Sequence, residues 1–565
     1  MRRIVLPALM VAALAPTAQA APATDLLVAA RIVTAMEDES PSDAMAWDAD
    51  GRIVAIGRAE ALQAAHPDAR VHDVGEGVVM PGLIDAHGHL MNLGFALLRA
   101  DLVGATSKAE ILERLKAYAA TVPADAWIIG RGWDQNDWPE KAFPTAADLD
   151  AAFPDRPVWL ERVDGHAGWG NTAAMRAAEA RQARSFDGDW QVDGGRILRE
   201  GGRATGVFID AAAALVDVAV PVPSEALREE AFERALAAAA ASGLTGVHDM
   251  GVSRDDLALY ARFADAGRLT LRVEAYADGD RDALADRCAQ GPYVHDGGRL
   301  AMRGVKIYMD GALGSRGAAL IDDYSDEPGH RGLLLMRREA LGALLAKVKD
   351  CGLQAATHAI GDLANRLVLD AYAETLGSAA ATSDHRWRIE HAQVVAPADL
   401  PRFAALGVIA SMQPTHATSD MPWAEARVGA ARLRGAYAWK TLQDSGARLA
   451  LGSDFPVESV DPRLGLYAAV TRQDLQGLPV GGWQPQERLA MPEALDGFST
   501  DAAFANRSEA AVGRLAPGYR ADFIVVDRNP RTVDARELPR LTVRSTWVDG
   551  RPVYDGDAAA ATAAR

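Results

Sequence analysis

Cysteine is nearly missing from this chain, with only Cys288 and Cys351 in 565 residues. That excludes a fold held by a disulfide framework; the two could pair in an oxidising compartment, and by default they read as buried thiols. Basic residues are in deficit, 59 against 77 acidic, for a net charge of -18. Such a chain repels nucleic acid and anionic membrane surfaces, so a small-molecule partner is expected and stable membrane association is not. Long apolar runs are absent beyond the amino terminus, where Ile4 to Leu14 is too short for a permanent span. That run follows Met1-Arg2-Arg3 and precedes Ala18-Gln19-Ala20, the three parts of a secretory signal, with cleavage expected after Ala20 and export to a periplasm or medium. Internal repeats are lacking too. Low complexity is confined to alanine-rich stretches such as Ala237 to Ala241 and the tail 558–565, expected to be disordered.

What is present is a patterned globular sequence, 49% hydrophobic and 24% charged. Residues 21–80 alternate short apolar runs with turn signals, and Ala521 to Asp527 and Val543 to Val553 do the same within 501–557. One β-sandwich assembled from both ends accounts for this. Between the ends, eight strand-like runs alternate with helical patterns: Val78 to His87, Thr245 to Asp249, Leu271 to Tyr276, Val305 to Met309, Leu353 to His358, Trp387 to His391, Val408 to Met412 and Leu449 to Asp454. Eight parallel units close a barrel, so the fold class is α/β, a (β/α)8 TIM-type barrel over about 81–500. The gap between its first two strands is far longer than one helix, which predicts an insertion over about 101–230.

The chemistry gathers where the strands end. His87-Gly88-His89 places two imidazoles two residues apart, on one face of a strand, so both rings can reach one ion. By itself that motif is weak and suits a strand running out into a loop equally well. Further candidates close other strands: Lys306, His358, His391 and Asp454. In a parallel barrel the carboxyl ends of all strands meet at one mouth, so residues far apart in sequence can share a site there.

Taken together, these segments resemble the amidohydrolase superfamily of metal-dependent hydrolases, in its amidohydrolase 3 or YtcJ-like branch, from about residue 25 to residue 555. The resemblance implies that His87, His89 and Asp454 hold one divalent ion and His358 and His391 a second. Lys306 bridges them after carboxylation by carbon dioxide, since a plain ammonium has no lone pair to offer. The alternative for Lys306 is a salt bridge to Asp310 and a mononuclear site. Zinc leads among one or two divalent ions, with manganese or another ion left open. The reaction implied is cleavage of a non-peptide carbon–nitrogen bond, in an amide, formamide or N-acyl compound, by metal-activated hydroxide, with Asp454 as proton shuttle.

Asp164-Gly165-His166-Ala167 and Gly311 to Gly317 also resemble segments of that branch, nominating His166 for a hydrogen bond to the substrate carbonyl and Arg316 for a polar substrate group. Structural roles, a loop histidine and an arginine tying down a loop, stand beside those. Five tryptophans fall between Trp127 and Trp169, and Trp133 and Trp169, beside glycine-rich turns, are read as pocket walls although large aromatics more often fill cores. Asp249 is assigned a supporting hydrogen bond and Asp362 the orientation of His358. His66, His72, His295, His330, His385 and His416 are read as surface or packing residues. Another hydrolase, a decarboxylase or an isomerase on the same scaffold, and an exported binding protein without turnover, are the competing readings. Sequence leaves the oligomeric state open, homo-oligomers included.

Overall fold

The computed structural model describes residues 23–35, 41–279 and 282–556. The expected leader and tail lie outside them. Among the described residues no helix is long and apolar enough to cross a membrane.

The centre is the expected barrel. Its strands, numbered along the chain, are β1 (Leu83–Gly88), β2 (Leu244–Val252), β3 (Arg272–Asp278), β4 (Leu300–Tyr308), β5 (Gln354–Ala359), β6 (Arg388–His391), β7 (Ile409–Met412) and β8 (Leu449–Leu451). Each pairs in parallel with the next in chain order. Burial on both faces suits their apolar composition, since helices cover the outside and side chains fill the interior. Closure comes just past β8. The Asp454 N–H donates to the His87 carbonyl at 2.7 Å and the His89 N–H to the Phe455 carbonyl at 2.9 Å. Gly452 permits that approach, because a Cβ there would lie 2.5 Å from Asp85 Oδ1 and 2.6 Å from the His87 nitrogen.

The two chain ends build the second unit. One sheet joins Ile53–Gly57, Ala44–Trp47, Asp25–Val28 and Arg70–Asp73; the other joins Arg31–Ile32, Val78–Pro81, Phe523–Val526, Val543–Val548 and Arg551–Asp555. Leu27, Met45, Trp47, Val79, Phe523 and Val525 share one core between them. The run Val78 to His87 is therefore two strands: Val78–Pro81 belongs to this sandwich and only the part from Leu83 enters the barrel.

Between β1 and β2 the insertion forms a six-stranded sheet from Ala100–Asp101 to Arg203–Asp210. Trp133, Trp138 and Trp169 sit in its core with ring centroids 5.9 to 6.2 Å apart. Each indole N–H donates to a backbone carbonyl, of Leu160, Ala105 and Thr145 respectively. The chain then returns through helix Glu225–Ala241, whose small side chains let it approach helix Leu90–Ala96 so closely that a Cβ on Gly94 would fall 2.0 Å from the Ala231 carbonyl.

The cysteines are a correction. Cys288 and Cys351 are joined in a disulfide, with Cα atoms 4.9 Å apart. Cys288 lies on the helix after β3 and Cys351 ends the helix after β4, neighbours in the outer ring. A separation of 63 residues hides that adjacency in the sequence.

Candidate active site

The carboxyl ends of the barrel strands surround a cavity of about 780 Å3, whose lining includes His89, Lys306, His358, His391, His416 and Asp454. His87 lies beneath it, fully buried. Its Nδ1 is 2.6 Å from Glu390 Oε2, and Arg388 holds that carboxylate through Nε and Nη2. A carboxylate at Nδ1 fixes the tautomer that carries its hydrogen there and leaves the Nε2 lone pair facing the mouth. His89 is set the same way by the Met250 carbonyl, 2.9 Å from its Nδ1, and His391 by Gln413 Oε1 at 2.8 Å. Three imidazoles thus present Nε2 inward. Glu390, Arg388 and Gln413 escape a sequence reading because their value lies in what they touch. Glu390 is visible only in hindsight, adjoining His391 with its side chain on the alternate face.

Asp454 joins the group from β8: its Oδ1 is 3.1 Å from His89 Nε2 and 3.5 Å from His87 Nε2. The ligand atoms of His87, His89 and Asp454 lie within 4.8 Å of one another, as do those of His391, His416 and Asp454. The ring centroid of His358 is 4.6 Å from that of His391, and its Nε2 has no hydrogen-bond partner. His391 and Asp454 adopt φ of 72° and 62°, left-handed values that non-glycine residues rarely take and that gather where a site dictates geometry.

Electrostatics follow from burial. Desolvation drives His87, His358 and His391 well below the usual imidazole range and lowers His416 as well, which favours the neutral rings. Burial opposes ionisation of Asp454, yet the surrounding His87 and His89 hold it well below the usual carboxylate range. Burial also pushes the Lys306 ammonium down to about 8, against the pull of Glu390 and Asp454. Lys306 Nζ points at His87 Nε2, 3.1 Å away. The alternative partner, Asp310, is occupied by the N–H groups of Ala319, Ile360 and Gly361.

The insertion supplies the facing wall with Arg131, Glu161, Arg162, Asp164 and His166. His166 Nδ1 is 2.7 Å from Asp210 Oδ1, and its ring centroid is 5.3 Å from that of His358. Burial disfavours its charged form, but the bond to Asp210 and the charges of Asp210, Asp164 and Asp310 outweigh this and lift it to about 9.

Several expectations are corrected. Trp133 and Trp169 do not line the cavity; they are fully buried in the insertion core, where three indoles pack together. The tryptophan at the mouth is Trp423. Arg316 is likewise away from the cavity, pairing with Asp326 at 3.0 Å and Glu327 at 3.4 Å. Asp362 does not orient His358 but accepts the Ile321 N–H at 2.9 Å. His416 is not a packing residue: it lines the mouth 3.7 Å from Asp454. Asp249 accepts the Leu90 N–H at 2.9 Å and the Tyr260 hydroxyl at 2.7 Å, fastening the turn after His89.

A parallel eight-stranded barrel with neutral imidazoles and an ionised carboxylate at its carboxyl rim is the architecture of the metal-dependent hydrolases. The family model described as "Amidohydrolase family" matches residues 70–554, and one for an imidazolonepropionase-like composite domain of bacteria matches 49–69. The chain belongs to the amidohydrolase family. It is 34% identical to Bacillus subtilis YtcJ, an amidohydrolase by name, over 93% of this chain and 98% of that one. It is 29% identical to the N-substituted formamide deformylase of Arthrobacter pascens over 89% and 94% of the two chains. Among solved structures, an uncharacterized metal-dependent hydrolase from Pyrococcus horikoshii superposes with a TM-score of 0.73 at 28% identity, covering 90% of this chain and 99% of that chain.

Proposed function

We propose that this protein is an exported hydrolase that cleaves a non-peptide carbon–nitrogen bond, of an amide, formamide or N-acyl type, in a small molecule. One observation carries the reading: His87, His89 and Asp454 bring their ligand atoms within 4.8 Å at the floor of the cavity. Their chemistry suits a divalent ion, with imidazole nitrogens and one ionised oxygen, and the nearby buried His358 Nε2 lacks a hydrogen-bond partner. His87, His89 and Asp454 are the ligands of one ion, His358 and His391 belong to a second, and zinc fits such a donor set. Bound there, the ion supplies Lewis acidity and water acidified to a pKa of about 7.

Lys306 is the residue suited to carboxylation. Only its neutral amine attacks carbon dioxide, and burial brings that form within reach near neutral pH. The product replaces an ammonium that would repel a cation with an oxygen anion that binds it. Asp454, ionised, accepts the proton of the attacking water and returns it to the leaving nitrogen. His166, held by Asp210 at the opposite wall, is placed to donate to the substrate carbonyl. The apolar wall contributed by Leu313, Ile360, Trp423 and Val457 seats the remainder of a drug-sized molecule.

Export is supported by the amino-terminal pattern and by the Cys288–Cys351 disulfide, which suits an oxidising compartment. The formamide reading leans on the Arthrobacter relative's name. The deciding experiment screens zinc-loaded protein with formamides, amides, N-acyl amino acids and esters, following the released amine or acid. Release of amine that stops on chelation and returns with zinc is expected. Turnover that chelation leaves unaffected, or of esters alone, would overturn the proposal.

A further inference from the structure

We propose that Asp420 and Glu458, with His416, form a subsite for a cationic nitrogen, so that the substrate is an amide or formamide carrying an ammonium or guanidinium group away from the bond that is cut. The inference rests on the hydrolase reading above and names its substrate class. Both acids line the cavity, each four residues beyond a rim residue: Asp420 after His416 on helix Pro414–Asp420, Glu458 after Asp454. Residues four apart on a helix share a face, so Asp420 stands about 6 Å along the axis from His416 and turns the same way. The Tyr437 hydroxyl aims Asp420 by donating to its Oδ2 at 2.7 Å, and Gln393 Nε2 donates to the same oxygen at 2.5 Å. Both donors take Oδ2, which leaves Oδ1 for a ligand. Glu458 is held by a hydrogen bond from Ser419.

The charges on this wall do not balance. Among the described residues no lysine or arginine forms an ion pair with Asp420, Glu458 or Asp137, which lines the same cavity. Arg162 acts on Asp420 from a distance but is committed to Asp134 and Asp164, and Arg131 stands 3.7 Å from Glu161. His416 is an independent sign that a ligand belongs here. It lines the cavity at 9% exposure, and its Nε2 has no hydrogen-bond partner, since Asp454 Oδ2 is 3.7 Å away. A buried acceptor left unpaired is costly, and an N–H donor relieves it. An ammonium brings three such donors and a guanidinium five, with the positive charge the two acids lack. Burial, and after it the charges of Glu458 and Asp134, push Asp420 above the usual carboxylate range. Burial with the charge of Asp454 pushes Glu458 up to about 7. A bound cation offsets both. Trp423 and Val457, on the same lining, suit the alkyl chain that joins the cation to the amide.

The test is calorimetric binding of uncleavable methanesulfonamides to the zinc-loaded full-length protein. The probes are those of putrescine, of pentylamine, which has a methyl in place of the ammonium, and of δ-aminovalerate, which has a carboxylate there, each also made with spacers from ethylene to hexylene. Turnover of the matching formamides is followed separately. The ammonium probe is expected to bind at least about tenfold tighter than the methyl probe at its best spacer, the effect of one charge-assisted hydrogen bond, with the carboxylate probe weakest. Asp420→Asn and Glu458→Gln should each shrink that preference and the double variant should abolish it, with thermal melting to check that each is folded. A methyl or carboxylate probe that binds as well as the ammonium probe at every spacer, or no binding by any probe, would overturn the proposal and leave both acids only to fasten their loops. So would a preference undiminished in the folded single variants. A preference for the ammonium probe together with no turnover of any formamide would sink the hydrolase reading and leave the subsite standing.

Discussion

The floor of the barrel beneath the cavity and the core of the insertion are equally well buried, yet the first is held by polar groups and the second by aromatic ones. At the barrel floor the largest fully buried groups include Arg388, which reaches Glu390, Ser411, the Ala86 carbonyl and His248. In the core of the insertion they are Trp133, Trp138 and Trp169, each spending its only polar group on one backbone carbonyl, while Arg162, equally buried, stands at the cavity wall and pairs with Asp134 and Asp164. Apolar packing is tolerant of small displacements in what it supports, whereas ion pairs and hydrogen bonds fix the direction of a side chain. The barrel floor needs direction, because Glu390 aims His87 at the cavity. The insertion needs only a stiff wall on which to mount His166 and Asp210.

If that contrast is right, damage to the two interiors should register in different measurements. The largest effect belongs to the rim: Asp454→Asn is expected to lower kcat by about a thousandfold or more, with little change in melting temperature. Turnover within tenfold of wild type would show that another group moves the proton. Next is Arg388→Met, which strands the Glu390 carboxylate in the interior and should destabilise by about 3–5 kcal/mol in denaturant titrations. Adding Glu390→Gln should recover part of that stability without restoring activity, since His87 then loses its carboxylate partner. A double variant no more stable than Arg388→Met would mean the pair is not an isolated unit.

In the insertion, Trp133→Ala should cost about 3 kcal/mol through cavity formation. Activity per folded molecule should fall far less than in the rim variants, and a collapse in kcat for the folded protein would return Trp133 to the pocket wall. The smallest effect is expected from Arg316→Ala, below about 1 kcal/mol, since its partners Asp326 and Glu327 are themselves partly exposed. A clear rise in KM would place Arg316 on the substrate after all.

Much of this was legible in the chain. The strands of the barrel are apolar runs ending in polar residues, and a parallel barrel leaves those ends at one mouth whatever the loops do, so His87, His89, Lys306, His358, His391 and Asp454 could be gathered without coordinates. What failed was reading loop and insertion side chains by neighbourhood. Trp133 and Trp169 adjoin glycines as pocket residues often do, but their direction follows strand alternation within a sheet whose pairing is non-local. Arg316 lies in a family-like loop, yet its ion pairs come from Asp326 and Glu327 in the following turn. His416 was passed over because it stands four residues beyond the end of β7, where only the turn into helix Pro414–Asp420 carries it back over the mouth.

The amino-acid sequence alone determined the alternation of strand and helix, the barrel that follows from it, and the residue types at each strand end, because periodicity and burial act over a few neighbours. Tertiary structure decided which lone pairs converge, which oxygen sets the tautomers of His87, His89 and His391, that Cys288 and Cys351 meet, and that His416 joins the rim. Those are distances between segments scores of residues apart, and they are set only when the sheet closes and its flanking helices pack.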